Sequence, residues 1–482
     1  MELKELSKEL ETKRNTMKKE KLRGKDLVTI GYNDTAIRSL AMLLVGKSYK
    51  HSSKDEKLQL LKQIIQNPKD HTQHPVLGPV AIKLTDEQAK EETYAFSEKP
   101  FKIYGAGGID DGAKEQMKQA MSLPITADGA LMPDAHYGYG LPIGGVLATK
   151  DAIIPYGVGV DIGCRMCLSI FDAKGSYIEE NKSQLKKIIQ DNSRFGRAIF
   201  DDNQRDDAIF DRSEFREIGL LRSLIDKAYR QIGSSGGGNH FVEFGWVEIK
   251  DINNDLNLAA GKYLALLTHS GSRGFGAKIA NTYTNIAIKK RNLPKATAHL
   301  SWLYMNEQEG QEYWIAMNLA GDYASACHHH IHRRVQKALG IKKLHQIENH
   351  HNFAWKEQLA DGSDVFVHRK GATPAHKGAW GIIPGSMTAP AFIVRGLGNS
   401  QSINSASHGA GRAFSRRKAK ESFTKKMLRE VLKINQVELI GAGLDEAPFA
   451  YKDIHTVMQA QQELVDVVAP FYPKIVRMDS GK

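Results

Sequence analysis

Five short stretches set metal-ligand residue types directly against apolar runs, and this arrangement constrains the fold more than any other feature of the chain. Asp134 and His136 fall in the run 131–140, Asp161 and Cys164 in 157–166, and Asn239, His240 and Glu243 in 235–243. His269 and Arg273 fall in 268–274, and His350 and His351 in 348–352. Most of these stretches are threaded with glycine, and all read as turns at strand ends. Apolar runs such as Val146–Thr149, Leu264–Thr268 and Ala391–Val394 are predicted as buried strands, with helices at 306–320, 322–339 and 416–433 between them. The strands and helices do not alternate at the regular spacing of βαβ units, so the class is α+β. The texture changes near Phe101. We therefore expect a mainly helical region over residues 1–100 and one large domain over 101–482. Within the first 23 residues, Leu3, Leu6 and Leu10 at helical spacing predict a solvated amphipathic helix.

Composition excludes several classes. Three cysteines in 482 residues cannot make a disulfide scaffold. No apolar run reaches the roughly 18 residues of a membrane span, and the charged N-terminus lacks the apolar core of a secretory signal; together these point to the cytoplasm. Sixty-seven Lys and Arg against 55 Asp and Glu leave a charge of +12, a field that concentrates polyanions such as nucleic acid.

Asp, Cys and His together suit a borderline divalent ion, and Asp161 and Cys164, three apart, can reach one ion from a tight turn. His240, His269 and His351 would have to converge from distant loops. Two other signals read as structural. Cys164 and Cys167 have C-x-x-C spacing but no second pair, so Cys167 is expected as a small core residue. The tract Cys327–His332 lies in a predicted helix, where adjacent histidines point to different faces, and His328 and His332 are expected at the surface. In the last third, Arg369 and Lys370 precede a glycine, Ser386 follows Pro-Gly, and His408 sits between Ser407 and the run Gly409, Ala410, Gly411, Arg412. Cations on glycine turns suit phosphates, and a neutral imidazole in such a turn can attack phosphorus.

These motifs, in this order, resemble the RtcB family of GTP-dependent RNA-splicing ligases, from about Gly24 to Ser480. The resemblance implies a large catalytic domain of mixed sheets flanked by helices, with a deep basic cleft that holds metal. It implies that His408 is the guanylylated nucleophile. It also implies two Mn²⁺ ions, one on Asp161, Cys164 and His240 and the other on Cys164, His269 and His351. Asn239, Arg273, Lys370 and Arg412 match phosphate- or RNA-binding positions. Phe241, Glu243, Ser386, Gly409, Ala410, Gly411 and Tyr451 match the GTP pocket, and Lys482 stands in for a terminal lysine that touches the guanine. The implied substrates are RNA 3′-phosphate or 2′,3′-cyclic phosphate ends and 5′-hydroxyl ends, from tRNA splicing or RNA repair, with the small protein archease as a partner. Two departures fall in the expected base pocket: Ala391, where many members carry serine, and Asp479, where alignment places the family's terminal lysine. Alternative readings of the residues are a metal-dependent cyclic-phosphate hydrolase and a non-catalytic RNA-binding scaffold.

Overall fold

The computed structural model describes residues 22–201, 206–251 and 254–480. The expected helix at Leu3–Leu10 and the expected guanine contact of Lys482 lie outside these residues. The chain divides into two compact units, one reaching Ala95 and including Leu293–Ala296, the other comprising the rest.

The smaller unit is helical. Asp34 accepts the Ile37 N–H at 2.7 Å and starts Thr35–Ser48. Ser53 and Glu56 form a reciprocal capping box at the start of Lys54–Gln66. These helices and Gly78–Thr93 bury Leu27, Ala41, Leu61, Ile64 and Leu77.

The larger unit holds two main sheets, in keeping with the α+β class. A five-stranded sheet runs in the order Lys102–Ile103, Thr126–His136, Ile143–Thr149, Asp364–Lys370, Asn352–Gln358. An eight-stranded sheet runs Trp380–Ile383, Ala391–Gly396, Val465–Met478, Phe241–Ile249, Gly261–Ser270, Arg165–Lys174, Lys343–His350, with Glu438–Ile440 paired to Val465–Met478. Its outermost strands approach one another, and the Ile382 N–H donates to Asn349 Oδ1 at 3.0 Å, so the sheet is nearly closed.

Side-chain alternation sorts the two faces of this sheet. Met166, Leu168, Ile170, Ala265, Leu267 and Ile393 fill one core. Cys167, Ser169 and Thr268 face the other way, toward the long helix Gln308–Leu339.

That helix corrects two expectations. It is continuous, not broken at 321. Gly321 serves close packing instead of termination, since a Cβ there would meet Phe353 at 2.8 Å. His328 and His332 are buried, not at the surface, at 0% and 2% exposure. The predicted helix 416–433 is in fact two helices, Arg416–Ser422 and Lys425–Ile434, because Thr424 caps the second by accepting the Met427 N–H.

The buried histidines form a directed chain. The Ser270 carbonyl can only accept, so His328 donates to it from Nε2 at 3.1 Å and accepts from Thr268 Oγ1 at Nδ1, 2.6 Å away. Thr268 then accepts from His332 Nε2 at 2.9 Å, and His332 Nδ1 accepts from Ser169 at 2.7 Å. Cys167 lies beside them, and the three residues have metal-ligand atoms within 4.8 Å of one another. Both imidazoles, however, already have both nitrogens hydrogen-bonded. We read the cluster as a structural tie from helix to sheet, placed one residue from His269.

Candidate metal and nucleotide site

Four adjacent strands of the nearly closed sheet end at one level, and each end delivers one ligand-type side chain. His240 precedes Phe241–Ile249, His269 lies at the end of Gly261–Ser270, Cys164 precedes Arg165–Lys174, and His351 follows Lys343–His350. Register fixes this convergence: His269 pairs with both Phe241 and Met166, and Arg165 pairs with His350. With strands about 4.8 Å apart, the four side chains share one small volume. Cys164 Sγ lies 3.2 Å from His269 Nε2 and 3.4 Å from His240 Nε2. His240 Nε2 is 2.9 Å from Asp161 Oδ2, and His269 Nε2 is 3.2 Å from His351 Nε2.

The turn carrying Asp161 and Cys164 depends on Gly163. Its φ is +68°, and a Cβ there would meet the Gly321 backbone at 2.8 Å. Only glycine lets this turn close onto the long helix.

The donor chemistry fits a cation. His269 Nδ1 lies 3.1 Å from the Asn239 carbonyl, which can only accept, so its Nε2 presents a lone pair to the cluster. Burial pushes the His269 pKa down to about 3 and holds His351 well below the ordinary range, so both stay neutral and able to ligate. Burial raises Asp161, but adjacent His240 outweighs it and holds the carboxyl below its usual value. Burial and the Asp161 charge push the Cys164 thiol well up, and in this setting only a cation would favour its thiolate.

His408 stands against this cluster, its ring centroid 5.0 Å from that of His351. It follows the strand Ser405–Ser407, which pairs with Ala372–Pro374. Its Nδ1 lies 2.6 Å from Asp134 Oδ2, and the same oxygen accepts the His408 backbone N–H at 3.2 Å. Asp134 is fully buried. A carboxylate in that place keeps the proton on Nδ1 and leaves Nε2 with its lone pair. The glycine run makes this approach feasible. Gly411 has φ +71°, and a Cβ there would strike the Asp134 carbonyl oxygen at 2.0 Å.

A cavity of about 320 Å³ joins the histidine–cysteine cluster, His408 and an apolar pocket. Asp161, Cys164, His240, His269 and His351 line it together with Asn239, Arg412 and His408. Glu243, Phe241, Ser386, Ala391, Tyr451 and the run 409–411 line the remainder. Burial holds the Glu243 carboxyl well above the usual range.

Not every candidate faces this cavity. Arg273 and Lys370 do not line it: Arg273 donates to Ser234 Oγ at 3.1 Å and to the Gly196 carbonyl at 2.5 Å, and Lys370 donates to the Tyr139 carbonyl at 2.5 Å. Burial lowers the Lys370 pKa to about 7. Asp479, expected in the base pocket, packs instead on the glycine loops. A Cβ at Gly237 would meet its carboxylate at 2.6 Å, and Met478 takes the cavity-lining place.

Three residues at this site carry no recognisable role in the sequence alone. Asp134 is the first. The others are Glu446 and Arg416, which both line the cavity. Glu446 is 2% exposed and accepts from Tyr451 Oη, Arg416 and Arg412, the last at 3.4 Å. Arg416 also donates to Asp445 at 2.9 Å and closes on the Gly238 loop. The only sequence signal was proximity, since Glu446 falls five residues before Tyr451 and Arg416 eight after His408.

The family model described as tRNA-splicing ligase RtcB matches residues 116–479. The chain is 33% identical over 401 residues to the RNA-splicing ligase RtcB of Escherichia coli (strain K12), covering 77% of this chain and 95% of the relative. It is 30% identical over 457 residues to the tRNA-splicing ligase RtcB of Thermococcus kodakarensis, covering 78% and 95%. It is 30% identical over 420 residues to RNA-splicing ligase RtcB homolog 1 of Entamoeba dispar, covering 72% and 78%.

Proposed function

The chain belongs to the RtcB family of RNA-splicing ligases, and from that premise we propose that it joins RNA 3′-phosphate or 2′,3′-cyclic phosphate ends to 5′-hydroxyl ends at the expense of GTP. The observation that carries this reading is His408, held at Nδ1 by buried Asp134 and set beside the histidine–cysteine cluster. A histidine so held is a nucleophile with its lone pair already placed.

In this reading His408 Nε2 attacks the α-phosphorus of GTP, the bond to the bridging oxygen breaks, and pyrophosphate leaves with its electron pair. An oxygen of the RNA 3′-phosphate then attacks the same phosphorus and releases His408, giving an RNA-(3′)pp(5′)G end. The 5′-hydroxyl attacks the RNA 3′-phosphorus, loses its proton, and GMP departs. A cyclic phosphate is first opened by water. Asp134 keeps the Nδ1 proton in place throughout and offsets the positive charge that develops on the ring.

Asp161, Cys164 and His240 would hold one Mn²⁺, and Cys164, His269 and His351 a second; when bound, such a pair sets positive charge against the phosphates and makes water acidic enough to attack. Burial alone favours the protonated Glu243 carboxyl, but the guanine N1–H and N2 amino group facing it would favour the carboxylate and donate to its two oxygens. Phe241, Ser386, Tyr451, Lys482 and the run Gly409, Ala410, Gly411 would shape the rest of the GTP pocket. At the cavity Arg412 would neutralise a phosphate and Asn239 would hydrogen-bond one, while Arg273 and Lys370, which do not line the cavity, would meet RNA phosphates outside it. Archease fits the role of accessory partner.

The test is ligation of a 2′,3′-cyclic-phosphate RNA to a 5′-hydroxyl RNA with GTP, ATP and Mn²⁺ varied separately. Joining that needs both GTP and Mn²⁺ supports the reading. Opening of the cyclic phosphate without joining under any nucleotide would replace it with the hydrolase.

A further inference from the structure

The loop between the strands Thr126–His136 and Ile143–Thr149 begins and ends at the cavity, since His136 and Ile143 both line it. Between them, Tyr137 and Tyr139 turn outward and are 64% and 67% exposed, more than any other tyrosine, phenylalanine or tryptophan among the described residues. Two large rings in water at the rim of a site are apolar surface that a ligand would gain by covering.

Their backbone is held firmly. Gln116, itself 8% exposed on the helix Asp111–Met121, donates to the Gly138 carbonyl at 2.7 Å and accepts the Gly138 N–H at 2.9 Å. Lys370 Nζ donates to the Tyr139 carbonyl. The Tyr139 ring meets His299 edge-on at 6.2 Å, and His299 lies against Tyr156 at 4.7 Å. The Tyr137 ring packs over Gly112, where a Cβ would meet it at 2.9 Å. The rings are therefore presented by a fixed backbone, and ordering them on binding costs little conformational entropy.

Charge narrows the occupant. The buried Lys370 amine braces this loop from beneath, 4.9 Å from the Tyr156 ring centre, and the chain as a whole carries a net charge of +12. An apolar peptide gains nothing from that net positive field, whereas a nucleic acid brings phosphates for it and π-faces for the tyrosines. The geometry points to Tyr137 and Tyr139 as a stacking platform for unpaired nucleobases of the RNA strand that flanks the joined ends. This rests on the ligase reading for its substrate and adds a subsite that the metal and nucleotide residues do not supply. It also suits an enzyme that joins ends of differing sequence, because stacking accepts any base.

The test uses the full-length protein with two double variants, Tyr137→Ala/Tyr139→Ala and Tyr137→Phe/Tyr139→Phe. Three quantities are measured: labelling by α-labelled GTP in the absence of RNA, the KM for RNA in ligation, and binding of a single-stranded RNA with and without abasic sites beside its terminus. The alanine pair is expected to label like the parent and to raise the KM about ten- to a hundredfold. The phenylalanine pair is expected to behave as the parent. Abasic RNA should bind more weakly than intact RNA to the parent and equally to the alanine pair. An unchanged KM in the alanine pair, a loss in the phenylalanine pair, or an abasic penalty that survives in the alanine pair overturns the platform. Should the parent neither label nor ligate, the ligase reading fails by itself, and the binding measurement still decides the platform.

Discussion

Asp134→Asn isolates the device that holds His408. The parent carboxylate is fully buried, and its Oδ2 takes both the His408 Nδ1–H at 2.6 Å and the backbone N–H at 3.2 Å. Asparagine keeps the shape and can keep both acceptor contacts, but it removes the charge that faces the ring when Nε2 bonds to phosphorus. A hydrogen bond to a charged partner is worth roughly 1.5–3 kcal/mol, and a neutral one roughly 0.5–1.5. The difference of about 1–2 kcal/mol predicts guanylylation slowed about five- to thirtyfold. Asp134→Ala goes further. It leaves Nδ1–H without its partner and frees the ring to adopt the other tautomer, which predicts a loss of at least about a hundredfold. The assay is the single-turnover rate of covalent labelling by α-labelled GTP at saturating Mn²⁺, with a thermal melt to show that each variant is folded. A folded Asp134→Asn protein that labels at the parent rate, or an alanine variant no slower than asparagine, would refute the argument.

Three further outcomes follow from the same geometry. Cys164→Ala should abolish Mn²⁺-dependent ligation and lower bound metal measured by elemental analysis, while Cys167→Ala on the opposite face of the strand should change neither; equal losses would mean the two thiols share one role. Glu243→Gln should erode the preference for GTP over ATP in a labelling competition, since an amide cannot offer two acceptors to one base edge, and an unchanged preference would move guanine recognition elsewhere. Buried His332 and His368 have pKa values lowered to about 3 and about 4, so between those values and about 6.5 the unfolded chain binds protons that the folded chain does not. Stability should therefore fall as pH drops below about 6.5, by up to about 1.4 kcal/mol per pH unit for each histidine, and a urea midpoint constant from pH 7 to pH 4.5 would contradict this.

Much of the site was legible because its chemistry is carried by residue types in short runs. Asp161 with Cys164, and His408 within its glycine turn, announce themselves by spacing. Convergence was not legible. His240, His269, Cys164 and His351 meet because four strands stop in register, and pairings such as Met166 with His269 are set by tertiary contacts, not by any local pattern. The same holds for Asp134 and His408, which are 274 positions apart. The apolar runs Val146–Thr149 and Leu264–Thr268 marked the inner parts of strands Ile143–Thr149 and Gly261–Ser270, but Gly321 misled the helix bounds. A glycine inside a helix reads as a stop, whereas here it makes room for Phe353 and for the turn at Gly163. His328 and His332 misled in the other direction. Polar residues on a helix suggest solvent, but Ser169, Thr268 and the Ser270 carbonyl satisfy every ring nitrogen and let both histidines lie in the core.

The proposed ligase chemistry turns on a covalent bond between His408 and GMP. The direct measurement is to incubate the protein with GTP and Mn²⁺ in the absence of RNA, quench, digest, and locate the modified residue by mass spectrometry. The account predicts one GMP on the peptide containing His408, stable to base and labile to acid, chased into RNA when a 3′-phosphate end is added, and absent from His408→Ala. GMP found on another residue, or RNA joined by the His408→Ala protein, would contradict it.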